Sequence, residues 1–166
     1  MATALFVGPA DLKKKSPVSG NLDEDKMVQY IELAQDKRVQ PYMGTDLYNR
    51  IKAGVIADDL TANETTLLND YIKDMTIYWG LVEYFTFAPY QVTNAGVNKS
   101  VPENAQPVDR DEVDRILTEL TNTAQFYSGR FVEYMCANSS LFPEYSSNTN
   151  EDIDPIGEVN YLPWQL

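Results

Sequence analysis

The sequence predicts an all-α protein: a small antiparallel helical bundle of three long helices and one or two short ones, with a long loop and an extended C-terminal arm. Apolar residues recur at three- and four-residue steps in three long segments, which is the spacing of an amphipathic helix. A capping residue with glutamate three positions later stands before each segment, at Asn21, Thr61 and Asp109. With 166 residues, 43% of them hydrophobic, the chain is long enough to bury one core.

The first long helix is predicted to begin after Asn21. Two stripes together make it amphipathic: one consists of Met27, Ile31, Ala34 and Arg38, and the other of Val28, Ile31, Gln35, Val39 and Tyr42. Pro41 removes a hydrogen-bond donor from the last turn, and Gly44 is placed to end the helix. A shorter helix is predicted from Thr45 to about Ala53, with Gly54 as its stop.

The central helix is the most hydrophobic and is predicted from Thr61 to about Phe87. At 1.5 Å per residue, its roughly 27 residues would span about 40 Å. Its two apolar faces consist of Leu68, Ile72, Met75, Trp79 and Val82, and of Leu67, Tyr71, Tyr78, Leu81 and Phe85. Gly80 lies inside this helix at a cost of about 1 kcal/mol relative to alanine. It therefore predicts close approach of another backbone or a contact with another subunit.

The last long helix is predicted from Asp109 to about Cys136. Its apolar face consists of Val113, Leu117, Leu120, Ala124, Tyr127 and Phe131. Three substantial helices of this kind, joined antiparallel, make a small bundle. The helical domain is therefore expected to span residues 1–138.

Two segments fit no helix. Residues 89–107 are rich in Asn, Gly and Pro, which predicts a long loop or an irregular hairpin, and such loops are commonly functional. Residues 139–166 are polar and acidic at first and then apolar. Their apolar residues either fold back over the bundle or bind a partner as an extended arm. We favour the arm, because the polar segment before the apolar residues would allow them to extend to a partner.

The amino-acid composition excludes most kinds of catalytic site. The chain has no histidine, which excludes imidazole catalysis, the usual serine and cysteine triads and most zinc sites. Cys136 is the single cysteine, so no disulfide can form within the chain. The sequence also has no phosphate-binding glycine loop and no dinucleotide fingerprint. We expect a protein that is not an enzyme, with no catalytic residue, no metal and no cofactor.

The net charge of −12 disfavours sequence-specific binding to nucleic acid. A negative channel wall to which DNA does not adhere would have the same composition. The sequence has no apolar stretch of the roughly 18 to 20 residues that a membrane span needs. Residues 1–7 lack the basic start of a signal peptide, so the protein is expected in the cytoplasm when it is made.

Four clusters have two interpretations each, and a structural role is the simpler one. The acidic run 148–154 is a solvated linker or a calcium site, and Lys13–Lys15 is a helix end or a DNA contact. The carboxylates of Asp109, Asp111, Glu112 and Asp114 suit a helix N-terminus or a metal site. The large rings of Tyr71, Tyr78, Trp79, Tyr84, Phe85, Phe87 and Tyr90 belong to the core or partly face another subunit.

Several strings resemble a known family. They are Phe6–Lys14, Gly20–Asp23, Ile31–Asp36, the turn Gln-Pro-Tyr-Met-Gly-Thr-Asp-Leu-Tyr at 40–48, and Tyr90–Val97 with its Thr-Asn-Ala-Gly loop. These strings resemble the head–tail connector proteins of tailed phages, also called head-completion or adaptor-ring proteins. The sequence looks most like the connectors of crAss-like phages, and the resemblance covers residues 6–134. None of these strings is a catalytic motif.

The resemblance implies a virion structural protein at the head–tail junction, made in the cytoplasm of the host bacterium. Such proteins form a ring, commonly twelve-fold, beneath the portal protein and extend the DNA channel towards the tail or further ring proteins. DNA would pass through without sequence-specific binding, and no membrane would be involved. The expected assembly surfaces are a loop and the arm: Thr93, Asn94, Ala95, Gly96, Val97, Asn98, Lys99, Ile153, Ile156, Val159, Tyr161, Leu162, Trp164 and Leu166.

A second interpretation stays open. The chain would then be a helical protein-binding module without enzymatic activity, acting as a monomer or small oligomer. Its aromatic residues would supply the binding surface, since tyrosine and tryptophan are favoured at interfaces.

Overall fold

The computed structural model describes residues 4–15, 24–87, 90–93, 96–99, 110–149 and 152–157. The helices in these ranges are α1 (Pro9–Lys15), α2 (Glu24–Ala34), α3 (Gln40–Met43), α4 (Thr45–Ala57), α5 (Ala62–Leu67), α6 (Lys73–Phe87), α7 (Arg110–Asn138) and α8 (Pro143–Ser147). The strands are β1 (Tyr90–Thr93) and β2 (Gly96–Lys99), and Ser139–Leu141 form a 3₁₀ turn. The prediction of a mainly helical protein is confirmed.

Two of the long helical segments contain a wide turn that the sequence did not predict. A π-helical turn, Gln35–Val39, joins α2 to α3, and a second, Leu68–Ile72, joins α5 to α6. Pro41 stands in the first turn of α3, and Gly44 ends that helix as predicted. The capping box at Thr61 and Glu64 is also present, with both of its hydrogen bonds.

Helix α6 lies between α2 and α7. Tyr71 stacks on Tyr134, and Tyr78 stacks on Tyr127, so α6 and α7 run in opposite directions. The predicted apolar faces point inward: Leu67, Leu68, Ile72, Met75, Trp79, Leu81 and Val82 are all buried. No helix within the described ranges is both long and apolar enough to cross a membrane.

A buried polar network joins these three helical segments. The buried Glu83 carboxylate accepts hydrogen bonds from Lys37 Nζ and Arg38 Nε, each at 3.0 Å. The Arg38 guanidinium lies 4.8 Å from the ring centroid of Trp79, and Trp79 Nε1 donates to Ser128 Oγ at 2.9 Å. A buried polar group that loses its partner costs stability, so this network fixes how the helices sit against one another.

Two glycines have roles other than those predicted. Gly54 does not stop α4, which continues to Ala57 and ends at Asp58 in a left-handed conformation. A side chain at Gly54 would collide with Leu60, so this glycine allows the following loop to pack on the helix. At Gly80, the neighbours of an added Cβ would be the side chains of Leu12 and Ile31, at 3.3 and 3.8 Å. The predicted backbone approach is therefore wrong; side chains of α1 and α2 occupy the space.

Strands β1 and β2 form a hairpin, which was one of the two predicted alternatives. Strands β1 and β2 pair antiparallel, with Tyr90 opposite Lys99 and Thr93 opposite Gly96. The two strands form a small sheet in the segment between α6 and α7.

Candidate assembly surfaces

The turn between α3 and α4 holds the most unusual backbone of the described chain. Gly44 has φ of +73° and ψ of 157°, a combination that is essentially restricted to glycine. Thr45 follows at once as the buried first residue of α4. Gly44 therefore separates α3 from α4, and the Pro41 carbonyl and the Thr45 amide on either side of it pair with a second segment.

That second segment is the C-terminal strap, which we define as residues 148–149 and 152–157. Its backbone pairs with the turn twice: Thr45 N donates to Ile153 O at 3.0 Å, and Ile156 N donates to Pro41 O at 2.9 Å. Between these two bonds, Pro155 packs directly over Gly44. The strap therefore docks on the turn much as an added strand docks on a sheet edge.

Side chains reinforce the docking. Thr45 Oγ1 donates to Asp152 Oδ2 at 2.9 Å and accepts from Ile153 N at 3.2 Å. Asn148 Nδ2 donates to Ile153 O at 3.1 Å and to Asp154 Oδ1 at 2.7 Å. The acidic run at 148–154 was predicted as a solvated linker or a calcium site. Its described residues Thr149, Asp152 and Asp154 are exposed, as expected of a solvated linker, but Asn148 and Asp152 tie the run to Ile153 and Thr45 by hydrogen bonds.

The described part of residues 139–166 is therefore not an extended arm. Ile153 and Ile156, predicted as assembly residues, lie in the docked strap, held by their backbones to Thr45 and Pro41. The other predicted residues of the arm lie outside the described residues: Val159, Tyr161, Leu162, Trp164 and Leu166. Helix α8 was not predicted either; Phe142, just before it, is buried in the core.

The predicted loop surface coincides with the hairpin. Thr93 ends β1, and the predicted residues 96–99 are the whole of β2. Asn94 and Ala95 lie outside the described residues.

The predicted aromatic stripe is only partly buried in the chain: Trp79 is buried, Phe87 is 48% exposed, the side chain of Tyr90 lies outside what the structure describes, and the others are partly buried, namely Tyr71, Tyr78, Tyr84 and Phe85. Tyr71 stacks on Tyr134 with ring centroids 4.1 Å apart, and Tyr78 stacks on Tyr127 at 5.1 Å. The Arg130 guanidinium lies 5.5 Å from the Tyr71 ring and 5.9 Å from the Tyr127 ring. Stacked pairs of this kind stabilise the α6–α7 contact by about 1 kcal/mol each beyond the area that they bury.

A groove of about 590 Å³ lies beside this aromatic stack, and we call it the α7 groove. It is lined by Lys15, Tyr78, Arg115, Ile116, Glu119, Leu120 and Thr123. Lys15, the last residue of the predicted basic run, forms an ion pair with Asp74, and that hydrogen bond raises the pKa of Lys15 despite partial burial. Burial likewise raises the pKa of Tyr78. Leu120 and Tyr78 form an apolar floor with charged side chains at the rim.

Among the described residues, no group of three His, Cys, Asp or Glu side chains could hold a metal ion. Asp111 and Glu112 lie in the first turn of α7, where negative charge favours a helix N-terminus. Asp109 lies outside the described residues.

The matched family is described as a family of unknown function, DUF6712, and its model covers residues 39–154, more than two thirds of the chain. The chain belongs to DUF6712. The region matched to DUF6712 includes both partners of the docking, the turn at Gly44 and the strap as far as Asp154. Comparison with curated proteins and with solved structures gives no match.

Sequence reasoning did not identify Thr45 and Asp152 as partners, because they are 107 positions apart. It identified Gly44 only as a helix terminator. Gly44 in the turn and Pro155 in the tail were visible in the sequence. No rule of spacing relates two residues so far apart, so their contact could not be predicted.

Proposed function

We propose that this DUF6712 protein is a phage virion structural protein, a subunit of a ring beneath the portal that joins head to tail and extends the DNA channel. One observation carries the proposal. One of the two most specific strings of the connector resemblance, at 40–48, is the segment on which the C-terminal strap docks; the other is the Thr-Asn-Ala-Gly loop. A motif that holds a C-terminal segment in a fixed position is suited to a protein that assembles with other subunits.

The surface chemistry agrees with such a role. The net charge of −12 gives a field that repels the phosphate backbone, so a channel lined by these subunits would let DNA pass without retaining it. The chain has no histidine, and a structural subunit needs no imidazole chemistry.

The placement of the surfaces suits a ring. A ring needs heterologous contacts, in which one surface of a subunit meets a different surface of the next. The hairpin at 90–99, the α7 groove and the chain that leaves the strap at Gly157 offer different surfaces for this purpose. In our proposal, the long helical segments form the bundle that carries these surfaces, and the ring is twelve-fold, as in the proteins that the sequence resembles.

The runner-up is a helical binding module without enzymatic activity that acts as a monomer or small oligomer. The exposed rings and aliphatic side chains favour it, since Phe87, Ile116 and Phe126 all reach solvent in the described chain. A patch of this kind would recruit another protein equally well without any ring.

Native mass spectrometry of the purified full chain, alone and mixed with the phage portal protein, tests the proposal. We expect a closed ring on the portal, with one stoichiometry. A matched variant ending at Gly157 keeps the whole strap and removes only residues 158–166. A monomer that does not bind the portal would overturn the connector proposal and favour the binding module.

A further inference from the structure

The α7 groove, which is open among the described residues, has features of a peptide-binding surface. Ile116 is 43% exposed in the groove, and Phe126, one turn beyond Thr123, is 54% exposed. Leu120 and the Tyr78 ring provide the floor. An open apolar surface of this kind, rimmed by polar groups, is typical of an interaction site.

The charges at the rim favour an uncharged occupant. Arg115 and Glu119 place opposite charges on α7, and the Lys15 ammonium is already paired with Asp74. A strongly acidic or strongly basic segment would meet a like charge here, and burying it would cost more than it gains. An apolar segment with uncharged polar side chains meets neither penalty.

The chain itself carries such a segment. Residues 159–166 contain no charged side chain. Their large apolar side chains are Val159, Tyr161, Leu162, Trp164 and Leu166. Tyrosine and tryptophan combine a large apolar area with a polar group, and they are the residues that most often anchor interfaces.

The position of the strap decides whose segment could fill the groove. Gly157 lies beside Met135 and Cys136, which line the same small pocket. Along α7, the groove extends from Thr123 to Arg115, which are 12 and 20 residues from Met135, or about 18 and 30 Å along a helix. At 3.6 residues per turn, Met135 and Cys136 also lie on the flank of α7 roughly opposite to the groove residues. The segment of the same chain would therefore have to cross the exposed ridge of α7 as well.

Nine residues, 158–166, span about 30 Å when fully extended. The path from Gly157 over α7 to Thr123 would use more than half of this length, and the remainder could not reach the far end of the groove at Arg115. A neighbouring copy has no such restriction, because its strap can end anywhere near the groove.

We propose that the α7 groove binds residues 159–166 of a second copy of this chain. The inference rests on the proposed function, since it supplies the contact between successive subunits of the ring. The strap fixes where the segment leaves its own subunit, and the groove of the neighbour receives it. Each subunit then donates a segment on one side and accepts one on the other, which is the heterologous contact that closes into a ring.

Disulfide trapping in the full chain tests this inference. All variants carry Cys136→Ser, which removes the native thiol. One chain adds Thr123→Cys in the groove, a second adds Gln165→Cys in the donated segment, and a control adds Glu133→Cys on an exposed position of α7. The groove and segment chains are mixed with the portal protein under mild oxidation, so that a heterodimer is intermolecular by construction.

We expect about tenfold more crosslinked heterodimer with Thr123→Cys than with Glu133→Cys, because docking raises the local concentration of the segment. A chain carrying both Thr123→Cys and Gln165→Cys should link between copies. An internal link within monomers would show that the groove takes its own segment, and equal crosslinking of the control would show no preference for the groove; either result overturns the inference.

Native mass spectrometry of the same mixtures separates the two proposals. A ring on the portal without crosslinking at Thr123→Cys would leave the connector proposal standing and reject the groove as the receptor. Absence of any oligomer with the portal present would reject both.

Discussion

Pro155 packs so closely over Gly44 that a Cβ on residue 44 would lie 2.6 Å from Pro155 Cγ. The φ of Gly44, +73°, would strain any other residue even without this contact. We therefore predict that Gly44→Ala lowers the free energy of unfolding by about 2 to 4 kcal/mol, from the backbone strain and the collision together. Urea denaturation followed by circular dichroism measures it.

The control for Gly44→Ala is Gly157→Ala, where an added Cβ would have no neighbour within 4 Å. It should change stability by less than about 0.5 kcal/mol. Adding Pro155→Ala to Gly44→Ala should restore the part of the loss that is due to the collision. Equal stabilities of the Gly44→Ala and Gly157→Ala variants would show that the strap does not dock as described.

Thr45 is expected to control how often the strap opens. Thr45→Val keeps the shape of the side chain but removes the hydrogen bonds of Oγ1 with Asp152 and with the amide of Ile153. Each such bond contributes about 1 kcal/mol, so we expect the Ile156 amide to exchange its hydrogen at least about tenfold faster. Nuclear magnetic resonance of the amide in deuterated buffer reports this rate.

Thr66→Val is the matched control for Thr45→Val. Thr66 is an exposed helical threonine whose hydroxyl donates to Ala62 O within its own helix. This variant should leave the exchange of Ile156 unchanged. If Thr45→Val also left it unchanged, the side-chain contacts would not be what retains the strap.

Local patterns predicted the helical part of the fold, because they depend on neighbours in sequence. The capping residue Thr61 and the buried face of α6 are examples: each depends on residues three or four positions apart. The π-helical turns at 35–39 and 68–72 were not predictable in this way, since a wide turn preserves the apolar face on both sides while shifting it by one residue.

The candidate site was predicted less well, for a physical reason. The predicted arm includes Ile153, whose carbonyl accepts from Thr45 N across more than 100 positions of sequence. Backbone hydrogen bonds of this kind do not require particular side chains, so the sequence pattern does not reveal them. The apolar character of the tail was therefore recognised, but the docking of its first part was not.

Arg38 and Lys37 both bind the buried Glu83 carboxylate, but only Arg38 also covers the Trp79 ring. We predict that Arg38→Ala lowers the free energy of unfolding by about 2 kcal/mol or more, because it weakens the pairing of a buried charge and removes a cation–π contact. Lys37→Ala, the control, should cost about 1 kcal/mol or less, since Arg38 still pairs with Glu83. Thermal and urea denaturation of both variants measure the difference. Equal losses would show that the Trp79 contact adds nothing.

Glu64 makes the stability of the fold depend on pH. Burial alone would raise its pKa, but hydrogen bonds from the Thr61 amide and from Arg50 outweigh burial and lower the pKa of Glu64. A carboxyl group whose pKa is lower in the folded than in the unfolded state adds stability above its ordinary value of 4.5, and loses it as the pH falls through the folded pKa.

We therefore predict that Glu64→Gln lowers the free energy of unfolding at neutral pH by about 1 to 3 kcal/mol, because charge-assisted hydrogen bonds to Arg50 are lost. The gap between parent and variant should narrow as the pH falls below 4.5, where the parent loses the same interaction. Urea denaturation over a series of pH values measures the gap. Glu133→Gln, at an exposed position, should show no comparable gap at any pH. A gap for Glu64→Gln that stayed constant from neutral pH into acid would mean that the lost stability comes from the cap's shape and not from the charge of Glu64.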